Sequence, residues 1–433
     1  MRRTALLVVA LATTTTTGTA ADSRGPIFAA PVRSRPGTLL PDSGPLAAPV
    51  ITPAGTTHGG RQNFEMIPAG WEREPFFTRD PGRYATGACD TPAQCSSAGW
   101  VAFDFLLWAT QGPGAPPLVT TGPVALGQGI AGVPGAHGTA ALIGGSRVLN
   151  DVRPGFRLDF FLPVAADGRW GFGTRFETLG ASADTVVAVG NGANVLNVPQ
   201  AVNLPGVAVV TPLYVGFPGL TAGSVTASTH TDFFGADHHL RHVLAAGDAV
   251  RLDGIVGYRY LHVGDRIAES WDVFAAGNAP PGGPRLMGEE SLRTRNDFHG
   301  GLLGLGSSAR VGRFSVAGRL AVALGETVSE RDQSHTRVVV PGVAAGGLAG
   351  LTPVTLVAAG GEDRTTHFAV APDVSVKFGW QVVDHLNLTA GYSFVYLSHV
   401  RRAQDEFLPG AAPLDRTTDF WAQGLNLGVE LRY

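Results

Sequence analysis

Long apolar runs are missing from this 433-residue chain. Outside the N-terminal segment no clean stretch of about 20 apolar residues occurs, which argues against membrane-crossing helices. The longest charge-free stretch, Thr185–Thr229, is interrupted by Pro199, Pro205, Pro212 and Pro218, so a helix there would break repeatedly. Charge is scarce too, at 15% of residues and a formal net charge of −3, with no basic run and no acidic tail. Nothing here invites nucleic acid. Cysteine is nearly absent. Cys89 and Cys95 bracket a small Asp/Thr/Pro loop that offers too few ligands for a metal, and in an exported chain a local disulfide is the natural expectation. Also lacking are a G-x-S-x-G elbow, an H-E-x-x-H pair and a phosphate-cradling glycine loop. No enzyme activity and no cofactor is expected; a lipase-like barrel hydrolase remains a minor alternative, because serines and histidines do occur on separate strands.

What the chain has in quantity is glycine, 59 residues, and proline, 30, without a collagen repeat, which suits a β-protein rich in turns. Residues 1–21 read as a secretory signal: Arg2 and Arg3, the short apolar stretch Ala5–Ala12, and small residues at Thr19, Ala20 and Ala21. Residues 22–99 read as a Pro/Gly-rich periplasmic linker or N-terminal extension. Its first part carries a proline every few residues and cannot bury enough apolar surface to offset the cost of ordering.

From Trp100 onward a period of two takes over. In 367–381 the even positions Phe368, Val370, Val374, Val376, Phe378 and Trp380 are apolar, against Asp373, Ser375, Lys377 and Gln381. The final segment sets Leu425, Leu427, Val429, Leu431 and Tyr433 against Asn426, Glu430 and Arg432. Successive side chains of a strand point to opposite faces, so each such segment is a strand with one apolar face. About ten are predicted on this pattern: 100–109, 155–163, 170–180, 225–242, 248–266, 296–310, 313–327, 365–381, 385–401 and 418–433; twelve follow if 138–149 joins a hairpin. The joins alternate. Those near 164–169, 243–247, 311–312 and 382–384 are tight, whereas 110–154, 181–224, 267–295, 328–364 and 402–417 are long. A soluble sandwich would share the alternation. Long strands, an export signal, and aromatics toward strand ends (Trp100, Trp108, Trp170, Trp380, Tyr392, Tyr396, Phe420, Trp421) favour an all-β, antiparallel, transmembrane up-and-down barrel over 100–433, with short periplasmic turns and long external loops.

Opposite the apolar faces lie Asp104, Arg157, Asp159, Arg175, Glu177, Arg251, Asp253, Arg259, Arg319, Asp373, Lys377, Glu430 and Arg432. Lipid charges about 2–4 kcal/mol for Arg or Lys near its midplane, so these belong in the lumen. They form either a salt-bridged plug or an ion-selecting lining; a ten-stranded interior is little wider than one that side chains fill. Asp237 with His238, His239 and His242 has the look of a metal cluster, but neighbours on a strand point apart, and exposed turn histidines are the simpler reading. The long joins are oddly bare: Thr185–Thr229 and Val338–Gly360 hold no charged residue. They are expected to fold inward as a constriction, cover one another, or meet a neighbouring envelope protein.

Trp100-Val-Ala-Phe-Asp-Phe-Leu-Leu-Trp108 and Pro116-Pro-Leu-Val-Thr-Thr-Gly122 resemble the opening of a family of outer-membrane barrels, the beta-barrel porin-7 type. Leu142-Ile-Gly-Gly-Ser-Arg-Val148 leading into Gly155-Phe-Arg-Leu-Asp159, then Gly257-Tyr-Arg-Tyr-Leu261, Asp297-Phe-His-Gly-Gly301, Phe368-Ala-Val-Ala-Pro-Asp-Val374 and Phe420-Trp-Ala-Gln-Gly-Leu425, continue the resemblance in order to Tyr433. It implies a bacterial outer-membrane location and, as function, a passive porin-like channel for small solutes; a non-conducting structural or surface-adhesive barrel is the alternative. The partners expected are outer-membrane lipid and the barrel-assembly machinery.

Overall fold

The computed structural model describes residues 99–165, 168–204, 207–247, 249–275, 284–340, 354–407 and 416–433. Cys89, Cys95 and the segments assigned to export and linker lie outside these residues.

Ten antiparallel strands close on themselves. In chain order they are β1 (Trp100–Thr110), β4 (Val152–Pro163), β5 (Trp170–Gly190), β8 (Thr221–Ala246), β9 (Val250–Ala275), β10 (Arg285–Val311), β11 (Phe314–Val340), β12 (Val354–Val383), β13 (Leu386–Val400) and β14 (Thr418–Arg432). Each pairs with its neighbour in this order, and β14 closes the ring on β1 through eleven register pairs from Trp100↔Arg432 to Thr110↔Ala422. The backbone N–H of Tyr433 then donates to the Gly99 carbonyl at 3.0 Å. Closure removes both sheet edges, which is what lets strands cross lipid.

The remaining strands are not part of the barrel wall. β2 (Val119–Gly122), β3 (Ala140–Ile143), β6 (Val195–Leu204) and β7 (Val207–Gly216) form a separate sheet in the order β3-β2-β6-β7. The reading of 138–149 as part of a barrel hairpin is therefore corrected: Ala140 and Ala141 pair with Thr121 and Thr120 in this second sheet.

Three of the long joins are also shorter than the sequence suggests. β8 to β12 run 26 to 30 residues each. At about 3.3 Å per residue they are roughly 85–100 Å long, whereas only about ten residues of each are needed to cross a bilayer. The reason is a change of phase along each strand. On β9 the outward residues are first Val250, Leu252, Val256, Tyr258 and Tyr260, then His262, Arg266, Ser270 and Asp272, the inward ones first Asp253 and Arg259, then Ile267, Trp271 and Val273. Near the tight turns the wall is apolar outside and charged inside. Beyond Tyr260 the outer face is polar and the apolar residues lie inside, beside the buried Asp265 and Glu269, as suits a strand that has left the lipid with its outer face in water.

Candidate functional site

The lumen is filled in tiers, and β9 serves as a ruler through them. Nearest the tight turns, Asp253 and Ile255 border a cavity of about 340 Å³ that also reaches Arg251, Glu430 and Arg432. Arg251 Nε donates to Asp253 Oδ1 and Arg432 Nε to Glu430 Oε1, each at 2.7 Å.

Next comes a belt of buried ion pairs at the level of Arg259. Cross-strand neighbours pair first: Arg157 with Glu177 at 2.9 Å, Arg175 with Asp159 at 2.7 Å, and Arg259 with Asp237 at 2.7 Å. Longer reaches then tie these together. Arg319 Nη2 meets Asp237 Oδ2 at 2.6 Å, and Asp373 Oδ2 receives Arg259 at 3.0 Å and Arg175 at 3.4 Å. Lys377 donates to Asp104 at 2.8 Å, and Thr389 Oγ1 lies 3.3 Å from the same carboxylate. Of the thirteen charged residues that alternation places in the lumen, Asp159, Arg175, Arg259, Arg319 and Asp373 are joined with Asp237 in one network, and the other eight stand in the separate pairs Arg157–Glu177, Arg251–Asp253, Lys377–Asp104 and Arg432–Glu430.

A third tier is apolar. Leu106, Trp108, Phe233, Leu261, Val263, Phe298 and Phe420 pack across the interior, with Leu302, Ala321, Ala323, Ala369 and Ala371 filling the gaps. Phe233 and Phe420 stack at 5.2 Å, and Trp108 Nε1 is satisfied by Asn426 Oδ1 at 2.7 Å. Their positions at strand ends predict an interfacial girdle for Trp108 and Phe420; both are fully buried in this tier instead. Trp100 likewise turns inward, onto the cavity. Trp170, Trp380 and Tyr392 do face outward.

The fourth tier is polar and comes largely from one join. At His399 the backbone enters the left-handed region, φ 55°, where the β13–β14 register slips between Leu397 and Val400. That kink turns the chain into the lumen, and a single helical turn, α1 (Ala403–Glu406), follows. Arg401 bonds Glu406 at 2.7 Å and Asp363 at 2.9 Å, Arg402 bonds Asp265, and Gln404 Nε2 donates to Thr229 Oγ1 at 2.8 Å. Asn296 accepts the Arg401 N–H at 2.9 Å and donates to the Arg401 carbonyl at 2.8 Å.

The fifth tier is the second sheet. Leu118, Val119, Ile143, Leu196, Val198 and Val215 pack on the inner wall at Val225, Ala227, Ile267, Trp271 and Leu292, with Ala403 and Phe407 from below. Of the two bare joins, Thr185–Thr229 thus folds inward through β6 and β7, as a lid of strands, whereas 341–353 of the other lie outside the described residues. Two carboxyl groups lie in the wall under the lid, Glu269 and Glu290, directly opposite across the β9–β10 ladder. Neither Glu269 oxygen has a hydrogen-bond partner. Burial, and then the Glu290 charge, hold the Glu269 carboxyl well above the usual range. Glu290 is met by His335 at 2.6 Å.

The histidine reading needs correction. His239 is buried in the lumen, where its Nε2 accepts from Arg241 Nε at 3.1 Å. His238 and His242 point outward, His238 against Phe172 and Phe176 and His242 against Trp170. Among the described residues no group of three or more His, Cys, Asp or Glu converges as for a metal ion. Sequence reasoning missed Asp237, the acceptor that joins Arg259 to Arg319. The inward parity of Asp237, His239 and Arg241 on β8 was the available signal.

Among solved structures, similar chains include the outer membrane protease OmpT from Escherichia coli, at 9% identity over 78% of this chain and 97% of that one, TM-score 0.37. A Pseudomonas aeruginosa FadL homologue is similar at 8% over 82% and 94%, TM-score 0.23, and an anion-selective porin from Comamonas acidovorans at 11% over 77% and 100%, TM-score 0.17. These likenesses are too slight to bear on chemistry. No curated protein matches the chain. Residues 100–433 match the family described as "Putative beta barrel porin-7", and the chain belongs to that family of β-barrels.

Proposed function

We propose that this protein is a bacterial outer-membrane barrel closed to solutes in its resting form, a structural wall that carries a long β-extension and its lid beyond the lipid. The observation that carries this reading is the apolar tier. Leu106, Trp108, Val263, Phe298, Leu302 and Phe420 are fully buried between two tiers of paired charge, so an ion entering from either end would have to shed its water to pass. A ten-stranded barrel is narrow enough for side chains to do this. In this reading the barrel performs no chemistry, and its partners are outer-membrane lipid and the barrel-assembly machinery.

The folded protein, purified in detergent and added to a planar bilayer, should give no stable conductance steps. Steady single-channel current from heat-modifiable protein would overturn the closed reading in favour of a passive small-solute porin. That second reading is supported by the porin family and by the cavity at the tight-turn end, and it requires the lid and the α1 turn to leave the lumen.

A further inference from the structure

The cavity at the tight-turn end holds one cation that no carboxylate among the described residues meets. Six of its lining residues are Arg or Lys and three are Asp or Glu. Most of those cations are held by the carboxylates already described. Arg241 is not: it has no carboxylate within ion-pair distance among the described residues, and its one hydrogen bond is from Nε to the neutral acceptor Nε2 of His239.

The surroundings fix this guanidinium as a flat donor. It lies over the Trp100 ring at 5.7 Å and the Phe161 ring at 5.4 Å, and those two rings stack on each other at 6.0 Å. Two glycines on the inner face of β5 make the arrangement possible. A Cβ at Gly171 would fall 2.2 Å from the Phe161 ring, and one at Gly173 would fall 2.5 Å from His239 Nε2. With Nε tied to His239 and the plane set by aromatic rings, the two Nη groups remain as a free fork, the geometry that suits bidentate binding of an oxyanion. Close by, Arg319 is buried with Nη1 lacking any hydrogen-bond partner. The inward hydroxyls of Ser308 and Ser375 line the same space.

We propose that this cavity is an anion site in which Arg241 takes the phosphate or carboxylate group of a small solute entering from the tight-turn end. The apolar tier above makes it a blind pocket, so the anion is held and not passed on. Attraction to the Arg241 guanidinium, which no carboxylate among the described residues neutralises, draws it in, and displacement of water from a fork that is already oriented limits the ordering cost.

The test is calorimetric titration of the full chain in detergent with inorganic phosphate and, separately, with succinate, in a chloride buffer. Saturable one-to-one binding of either anion is expected, and which of the two binds tells a phosphate site from a carboxylate site. Arg241→Gln, checked for heat-modifiable mobility so that folding is established, should weaken binding by about tenfold or more. Ser308→Asp adds a carboxylate to the cavity wall without touching the ion-pair belt and should abolish binding, which covers the case in which Arg241→Gln does not fold. No saturable heat with either anion, or an affinity unchanged in the folded variants, overturns the proposal. The titration does not depend on whether the barrel conducts.

Discussion

Arg259 and Asp237 face each other across the β8–β9 ladder and are bonded twice, Nε to Oδ1 at 2.7 Å and Nη2 to Oδ2 at 2.8 Å. The same carboxylate also holds Arg319. One acceptor therefore bridges two buried guanidinium groups from strands that are not adjacent, with Asp373 supplying the second negative charge.

Asp237→Ala should destabilise the barrel by about 3–5 kcal/mol, because it leaves Arg259 and Arg319 buried and undercompensated. Asp237→Asn should lie between it and wild type. Thermal loss of the heat-modifiable gel band reads the order; equal midpoints for all three proteins would mean that Asp237 is not the acceptor on which the belt depends.

Alternation alone suggests that Asp373→Arg should be tolerated, since a lumen can hydrate or pair a charge. The structure reverses that expectation: Asp373 receives Arg259, Arg175 and Arg319, and an arginine there would be a fourth cation in a buried cluster. Both Asp373→Arg and a lipid-face substitution such as Leu320→Arg should fail to assemble, the latter losing about 2–4 kcal/mol near the bilayer midplane.

The change of phase along β9 gives a sharper contrast. Ser270→Arg, on the outward face beyond Tyr260, should assemble at wild-type yield, whereas Val256→Arg, on the same face of the same strand, should not. Membrane yield measures both. Similar losses at the two sites would place the lipid boundary higher on the wall.

The pH dependence of the lid should follow Glu269. Its carboxyl is held above the ordinary value by burial and by Glu290, so the folded state keeps a proton that the unfolded chain releases. Stability is then unaffected below about pH 4, where both states are protonated, and falls as pH rises above the unfolded value. Glu290, His335 and Arg337 are the ionisable groups on the neighbouring strand positions. Glu269→Gln should raise the unfolding temperature at pH 8 and leave it nearly unchanged at pH 4. An equal shift at both would assign the gain to packing.

Orientation is testable from two turns. In a background lacking Cys89 and Cys95, Asn191→Cys at the far end of β5 should react with an impermeant maleimide on intact cells. Arg313→Cys, between β10 and β11, should react only once the outer membrane is opened, because short turns stay on the periplasmic side in this class. The reverse pattern would invert the topology.

The ten strands were legible because each has an apolar and a charged face where it crosses the lipid. Their upper halves were not. Past Tyr260 the apolar residues move to the inner face, and Arg266, Ser270 and Asp272 on the outer face read as loop. Parity marks Asp104, Arg157 and Arg259; Asp237 shares the inward parity of His239 and Arg241, but beside His238 and His239 it reads as part of a metal cluster. Arg401, Arg402 and Glu406 carry no period at all. They enter the lumen through the kink at His399, which only the fold reveals. The bareness of Thr185–Thr229 marks burial at 195–200 and 215–217, while Val187, Val189 and Leu220 are exposed, and the pairing of its strands with Thr120–Gly122 joins segments too far apart for local pattern to show.

The ion-pair belt also bears on assembly order. Lys377 and Asp104 are 273 residues apart, and Arg175 and Asp373 are 198 apart. Neither pair can exist until the last strands have come round to meet the first. Before that moment Arg157, Arg175 and Arg259 can meet only their cross-strand partners, and Asp104 and Lys377 still rely on water to solvate them. Closing the wall is therefore what lets the last of that water leave the belt, since only then do Lys377 and Asp104 face each other across the lumen.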